Sequence, residues 1–447
     1  MNTVFRRSLA LLLGLTTLCH AIPAKTLTFD SIWQQVQDQS LMQQSAKLKL
    51  ESASVAVSRS TYSFRPRVYA DLRIFQTNDP GDSFFGLLEQ RSVENSDFDP
   101  GRLNHGNATL LSRGALGVDF PFYEAGSKEA KTALYTHLLS AERFSQSQVI
   151  IEEYANALVA YAGLSSIGRN TEKLSTLKGQ LGTLINGYQL GQKSNPVGYS
   201  GLLGMKSLLL HVEGLLDQWR AKEASWYALL SEMGVQDPAW IPTRLDPRDV
   251  IEKYAPSENN LEEKSYAALR NDAYVLASFS EADLEKTRFM PIASAFAESS
   301  AFAGNRSTEL SYRLGANLQW LIYDPAEKGR DKELDITAQA LKKSNLAFIR
   351  KEKAEKKQLL QSEGALKTTL KRLDQSEALL SEQIMISQTL FNNGSINALQ
   401  FVDALKQKVD LISQRLETEL ALIQTTSTRL TKTPVDPTKI LDLGGKQ

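Results

Sequence analysis

Few residues of this sequence are spaced for chemistry. Gly204-Met205-Lys206-Ser207 has part of the order of a phosphate-binding loop, which wraps backbone N–H groups around phosphate and needs a lysine directly after its last glycine and another glycine five places before it. Met205 and Tyr199 occupy those places. Gly198-Tyr199-Ser200-Gly201 has a serine between glycines, but the second glycine comes one place too early for a nucleophile elbow. His105, His137 and His211 are far apart and never at the i, i+4 spacing that puts two imidazoles on one helix face, so no metal site is expected. The basic run from Arg350 to Lys357 is interrupted by Glu352 and Glu355, as on a solvated helix face. Asp403 is a single carboxylate in a charged helical segment. No constellation for an enzyme or a cofactor emerges, and the chain is read as neither catalytic nor cofactor-dependent.

The elements that carry these residues begin with an export signal. Arg6 and Arg7 precede an apolar stretch from Leu9 to Leu18 that ends in small residues at Ala21 and Ala24, a Sec-type leader over residues 1–24 with cleavage expected after Ala21 or Ala24. Cys19 is the only cysteine, and Leu18 before it disfavours lipidation; a mature chain without cysteine has no disulfide framework. Lys plus Arg and Asp plus Glu both total 51, so the 447-residue chain has no net charge and no field to hold nucleic acid.

After Gly126 the sequence is rich in Ala, Leu, Glu, Lys and Gln and nearly free of proline until Pro196, which predicts one helix of roughly 65 residues, about 100 Å long. Pro325 to Asn392 reads the same way and ends at the turn signal Asn392-Asn393-Gly394. Shorter return helices are expected over Val197 to Gly234 and Ser395 to about Thr431, each closing an antiparallel hairpin. In the last, Val402, Leu405, Val409, Ile412, Leu416, Leu420 and Ile423 step by three or four, a coiled-coil stripe.

Between the helices the period changes to two. Val68, Ala70, Leu72 and Ile74 alternate with Arg67, Tyr69, Asp71 and Arg73; Leu116, Val118, Phe120 and Phe122 alternate with Gly117, Asp119 and Pro121; Tyr312, Leu314, Ala316, Leu318 and Trp320 alternate with Arg313, Gly315, Asn317 and Gln319. A fourth, Ala- and Ser-rich strand is expected from Pro291 through Phe296 to Phe302. One apolar and one polar face over about ten residues suits strands between lipid and a wet lumen, with Phe122, Tyr123, Trp320 and Tyr323 near one interface. Asn78 to Ser112 reads as a long outer loop and Ala303 to Thr308 as a short one.

The order of elements occurs twice, in repeats over residues 25–257 and 258–447. Pro66 pairs with Pro291, Leu116-Gly117 with Leu314-Gly315, Phe122-Tyr123-Glu124-Ala125-Gly126 with Leu321-Ile322-Tyr323-Asp324-Pro325, and Gly191 with Gly394. With Tyr188-Gln189-Leu190-Gly191-Gln192-Lys193-Ser194 and Phe391-Asn392-Asn393-Gly394-Ser395-Ile396-Asn397 at its helical turns, the chain resembles the TolC family of outer-membrane efflux channels from about Thr28 to Thr431.

That resemblance implies a mainly α fold with a small membrane β part: helical hairpins forming an α-barrel, and four strands per subunit of a twelve-stranded barrel in a homotrimer. It implies a subunit of a transperiplasmic duct in the outer membrane of a Gram-negative bacterium, contacting outer-membrane lipid and working with a periplasmic adaptor and an inner-membrane RND or ABC transporter. It places Asp403, with Gln400 at the family's second acidic position, at a pore constriction, and Gly191, Ser194, Gly394 and Ser395 at adaptor-docking tips. Pro196, Gly198, Gly201 and Gly204 predict a weak start to the first return helix, and Pro325 suits the first turn of the second long helix. The rival reading is a soluble periplasmic coiled-coil adaptor or structural protein, which would have no alternating strands.

Overall fold

A computed structural model describes residues 27–62, 65–106, 108–189, 191–235, 244–255 and 261–435. The expected leader, Cys19, Leu190 of the first turn and the boundary between residues 257 and 258 lie outside them. The first half runs α1 (Phe29–Gln39), α2 (Leu41–Thr61), β1 (Arg67–Thr77), α3 (Pro80–Glu89), a 3-10 turn (Asn95–Phe98), α4 (Pro100–Asn104), β2 (Thr109–Tyr123), α5 (Ser127–Gly187) and α6 (Pro196–Glu232). The second runs α7 (Pro247–Tyr254), α8 (Tyr266–Lys286), β3 (Ile292–Ala303), β4 (Thr308–Gln319), α9 (Arg330–Asn392) and α10 (Ala398–Thr431).

α5 has 61 residues and α9 has 63, each about 90 Å of rod. Glycine starts both: Gly126 at φ +87 and Gly329 at φ +89 take the left-handed conformation that turns the strand exit into the helix. The second helix therefore does not begin at Pro325, as the sequence suggested. Residues 325–329 form turns, with Asp324 Oδ1 accepting from the Ala326 N–H at 3.0 Å, before Gly329 reproduces the geometry of Gly126.

The four strands form one antiparallel sheet in the order β1-β2-β3-β4. Arg67 to Thr77 pairs with Asp119 to Thr109, and Ile292 to Ala303 pairs with Gln319 to Thr308. Glycines 117 and 315 correspond in space as well as in sequence. Tyr69 lies across Gly117 and Phe296 across Gly315, so a Cβ would fall 2.3 Å and 2.8 Å from those rings. In each half an aromatic ring fills the volume that its glycine partner leaves.

The segment expected as an outer loop is largely helical. Asp79 caps α3 by accepting from the Asp82 N–H at 3.0 Å, and Asp99 caps α4 by accepting from the Gly101 N–H at 3.1 Å, each followed by proline at the first helical position. β2 then begins at Thr109 instead of after Ser112.

One apolar core gathers α1, α7 and the middle of α5. Phe29 packs 5.2 Å from Tyr154 and 4.7 Å from Tyr254, Trp33 sits edge-on to Tyr154 at 5.0 Å, and the Tyr154 hydroxyl donates to Tyr254 O at 2.8 Å. A second core runs down the hairpins to their tips through Leu181, Met205, Phe401, Val409 and Leu416. Matching polar contacts tie each short helix to its long one. Ser40, the cap of α2, donates to Glu153 on α5, and Ser265, the cap of α8, donates to Glu352 on α9, both at 2.5 Å.

Candidate functional site

The two faces of the sheet differ in kind. On one, Val68, Leu72, Ile74, Leu116, Leu314 and Leu318 are exposed, and Tyr312 reaches 78% exposure. On the other, strand register aligns Gly117, Glu298 and Arg313. Glu298 accepts from Arg113 at 2.7 Å, from Arg313 at 2.6 Å and from the Tyr69 hydroxyl at 3.0 Å, and Arg67 pairs with Asp119 at 3.4 Å. An exposed apolar band opposite a polar, ion-paired face is unstable in water, since each Leu or Val removed from it gains about 1.5–3 kcal/mol. β1 and β4 end the sheet with unpaired edges, which cannot face lipid without a partner strand. At the junction with the helices, Phe122, Tyr123, Trp320 and Tyr323 are all exposed, and Trp320 Nε1 donates to Phe289 O at 3.0 Å. Among the described residues no helix is long and apolar enough to cross a membrane.

At the other end, the two hairpin turns are built differently. α9 closes on Gly394 at φ +73, with the Gly394 N–H donating to Phe391 O at 3.0 Å and the Ser395 N–H to Leu390 O at 2.8 Å. This satisfies two of the carbonyls that a helix end leaves open. The first turn is longer and re-enters α6 through Asn195, whose Oδ1 accepts from the Gly198 N–H at 3.2 Å, with Pro196 at the first helical position. The helix starts at Pro196 all the same, and the glycines of its first turns are placed by packing. Gly198 and Gly201 are buried, and a Cβ on Gly201 would stand 2.4 Å from the Ala398 Cβ. Gly201 is a place where α6 approaches the start of α10. Gly191 likewise has no room for a side chain beside Leu202, 2.8 Å away.

Ser194, Gly394 and Ser395 are exposed, so three of the four tip residues are open to a partner, and Gly191 is half-buried. Asp403 is exposed between buried Val402 and Ala404 on the first turns of α10. Gln400 is exposed too, but its side chain is engaged: its Oε1 accepts from the Asn397 N–H at 3.0 Å, while Asn397 Oδ1 accepts from the Gln400 N–H at 2.9 Å. That reciprocal capping box starts α10, and its Asn-x-x-Gln spacing was readable in the sequence.

A belt of charge that the sequence reading missed lies farther up the hairpins. Buried Glu419 on α10 accepts from Ser166, from Arg169, from Asn170 at 3.0 Å and from Arg415 at 2.9 Å. Arg415 also reaches Glu377 at 2.6 Å and Asp374 at 2.7 Å on α9, and Arg169 and Arg248 each hold Asp246, the cap of α7, at 2.9 Å. Burial pushes the Asp246 carboxyl up, but hydrogen bonds from Arg248 and Arg169 outweigh it and hold the group well below the usual carboxylate range. The only sequence signal was polar residues interrupting apolar stripes. No group of His, Cys, Asp and Glu among the described residues is arranged to hold a metal.

No family model matches the sequence, and no curated protein does. Solved structures match in shape. The chain is similar to CusC, a protein studied for its transmembrane channel formation, with a TM-score of 0.74 at 11% identity over 90% of this chain and 91% of that one. It is similar to the CmeC outer membrane channel of Campylobacter jejuni, at 0.72 and 11% over 94% and 89%, and to the outer membrane protein VceC of Vibrio cholerae, at 0.67 and 12% over 93% and 96%. At this identity the likeness is one of fold, and the fold is TolC-like over nearly the whole described chain.

Proposed function

We propose that the chain is one subunit of a trimeric outer-membrane channel, a duct for efflux or secretion that extends into the periplasm. The observation that carries this reading is the two-faced, open-edged sheet. Four strands are too few to close a barrel around a lumen, and three copies joined β4 to β1 would give twelve. The apolar band would then face lipid and the Arg67–Asp119 and Glu298 clusters would face water. A soluble coiled-coil adaptor has no use for such a band, so the alternative loses its support.

The likeness to outer-membrane channels agrees with this reading, as does the leader expected at residues 1–24. The helical tips would point into the periplasm, where exposed Ser194 and Ser395 offer backbone and small side chains to an adaptor coupled to an RND or ABC pump. Fractionation followed by crosslinking in detergent tests the assembly: a trimer in the outer-membrane fraction is expected. A monomer that stays in water without detergent would overturn the reading. Photo-crosslinkers at Ser194 and Ser395 should capture the adaptor, and capture from Gly106 instead would reverse the orientation.

A further inference from the structure

Leu110 and Leu111 are neighbours near the outer end of β2, yet Leu110 is 56% exposed and Leu111 only 7%. Leu111 pairs with Phe75, on the polar face of the sheet. What covers it is α3: a Cβ on Gly86 would fall 2.8 Å from the Leu111 side chain. A groove remains between α3, at Asp82 and Phe85, and the polar-face residues Arg73, Arg113 and Phe302. The segment after β1 therefore folds back over the face that would line the lumen, at the end away from the helices.

It is fastened there. Gln90 is 1% exposed; its Oε1 accepts from the backbone N–H groups of Arg306 and Ser307 at 3.3 Å, and its carbonyl accepts from the Ser307 hydroxyl at 2.5 Å. Gly304 must be glycine for Gln90 to fit, since a Cβ there would lie 2.3 Å from the Gln90 amide. The Arg306 guanidinium grips Asp97 with two bonds, 2.6 and 2.7 Å, and also donates to Ser92 O at 2.7 Å. Arg102 adds a third contact to the same carboxylate at 3.2 Å. Paired N–H to carboxylate bonds of this kind are the strong, geometrically fixed ones. The short β3–β4 turn thus serves as the catch for a segment that belongs to the other hairpin.

We infer that residues 80–104 form a lid across the outer mouth of the lumen, latched by Arg306 on Asp97 and by Gln90 on the β3–β4 turn. The inference rests on the channel reading above. Arg306 holds the Asp97 carboxyl far below its ordinary range, so mild acid does not undo the latch.

The test places a cysteine at Ser294, on the polar face toward the helical end, in whole cells. A bulky, membrane-impermeant maleimide dye is added from outside and a small thiosulfonate is used alongside. The rate at a site behind a lid scales with the fraction of time the lid is open. Replacing residues 80–104 by a short Gly-Ser turn should speed bulky labelling by about tenfold or more, with Arg306→Ala intermediate. Equal bulky rates in the parent and both variants would overturn the lid while leaving the channel reading intact. If the turn replacement fails to assemble, the Arg306→Ala rate decides alone. Failure of even the small reagent in every background would mean that the polar face lines no lumen, and both readings would fall.

Discussion

Along the helical hairpins, two levels are held together by opposite means. In the belt, Arg415 spans Glu377, Asp374 and Glu419, and each carboxylate has a fixed cationic partner on another helix or a neighbouring turn. At the tip, Phe391 stacks on Phe401 at 5.2 Å and on Tyr188 at 6.1 Å, and Gly201 abuts Ala398. The ion pairs around buried Glu419 and Arg415 disfavour any other register, because a shifted helix would strand a buried charge. Apolar contacts are non-directional, and a shift at the tip exchanges one ring contact for another. The belt fixes how α5, α9 and α10 align, and the apolar packing at the tip is less tied to one register.

The largest expected effect comes from breaking the belt. Glu419→Ala removes the acceptor shared by Ser166, Arg169, Asn170 and Arg415, while Arg169 keeps Asp246 and Arg415 keeps Glu377 and Asp374; the buried donors left short of a partner cost about 3 kcal/mol in stability. Chemical denaturation of the detergent-solubilised protein would read this as a lowered midpoint. A midpoint equal to the parent's would mean that water already reaches the belt and that the contrast with the tip is false. Gly201→Val probes the tip in the opposite sense, by overfilling it. With a Cβ already 2.4 Å from Ala398, the two hairpins must part, at about 1–3 kcal/mol. Loss of adaptor crosslinking at Ser395 with only a small change in denaturation midpoint would sharpen the comparison.

Acid separates the two levels further. Burial raises Asp246, Glu377 and Glu363, but Arg248 and Arg169, Lys173 and Arg415, and Lys367 and Arg429 respectively bring them below their ordinary values. A depressed folded pKa gives stability that is fully present above the unfolded value, about 3.9 for Asp and 4.3 for Glu. It is lost as pH falls through the lower folded value. Melting followed by circular dichroism should therefore be flat from about pH 7 to 5 and decline below about pH 4. A decline beginning near pH 6 would mean that these carboxylates are not held by their partners.

What the sequence disclosed divides along the same physical line. Long helices were legible because a proline-free run has one local solution, and β1, β2 and β4 because bulky residues alternate with polar ones. β3 was fainter, since Ala293, Ala297 and Ala301 stand where the paired positions of β4 carry Leu318, Leu314 and Leu310. The helices α3 and α4 went unread because Pro80 and Pro100 look like breakers, although the Asp-Pro pairs at 79–80 and 99–100 start helices as Asp246-Pro247 does. Gly201 of α6 looked like a weakness because only the partner helix reveals that it marks a close approach. The belt was invisible for the same reason: Ser166, Glu377 and Glu419 are ordinary helix residues until three helices bring them together.

The smallest expected effect on stability, and the most specific on function, lies at Asp403. It is exposed, so Asp403→Ala should change stability by no more than about 0.5 kcal/mol and leave the trimer intact. If the tips converge around an axis, three Asp403 carboxylates form a ring that gathers cations and repels anions at the narrowest point. Gln400 cannot add to that ring as a charge, and its side chain is committed to the Asn397 cap. Planar-bilayer recordings should then show that Asp403→Ala raises single-channel conductance and weakens cation preference, while Asp403→Asn loses the preference and keeps most of the constriction. The two variants separate charge from size, because Asn replaces the carboxylate with little change of volume. Identical conductance and selectivity in all three channels would move the constriction away from α10 and leave Asp403 a solvated residue on a helix face, with the tip defined by its apolar packing alone.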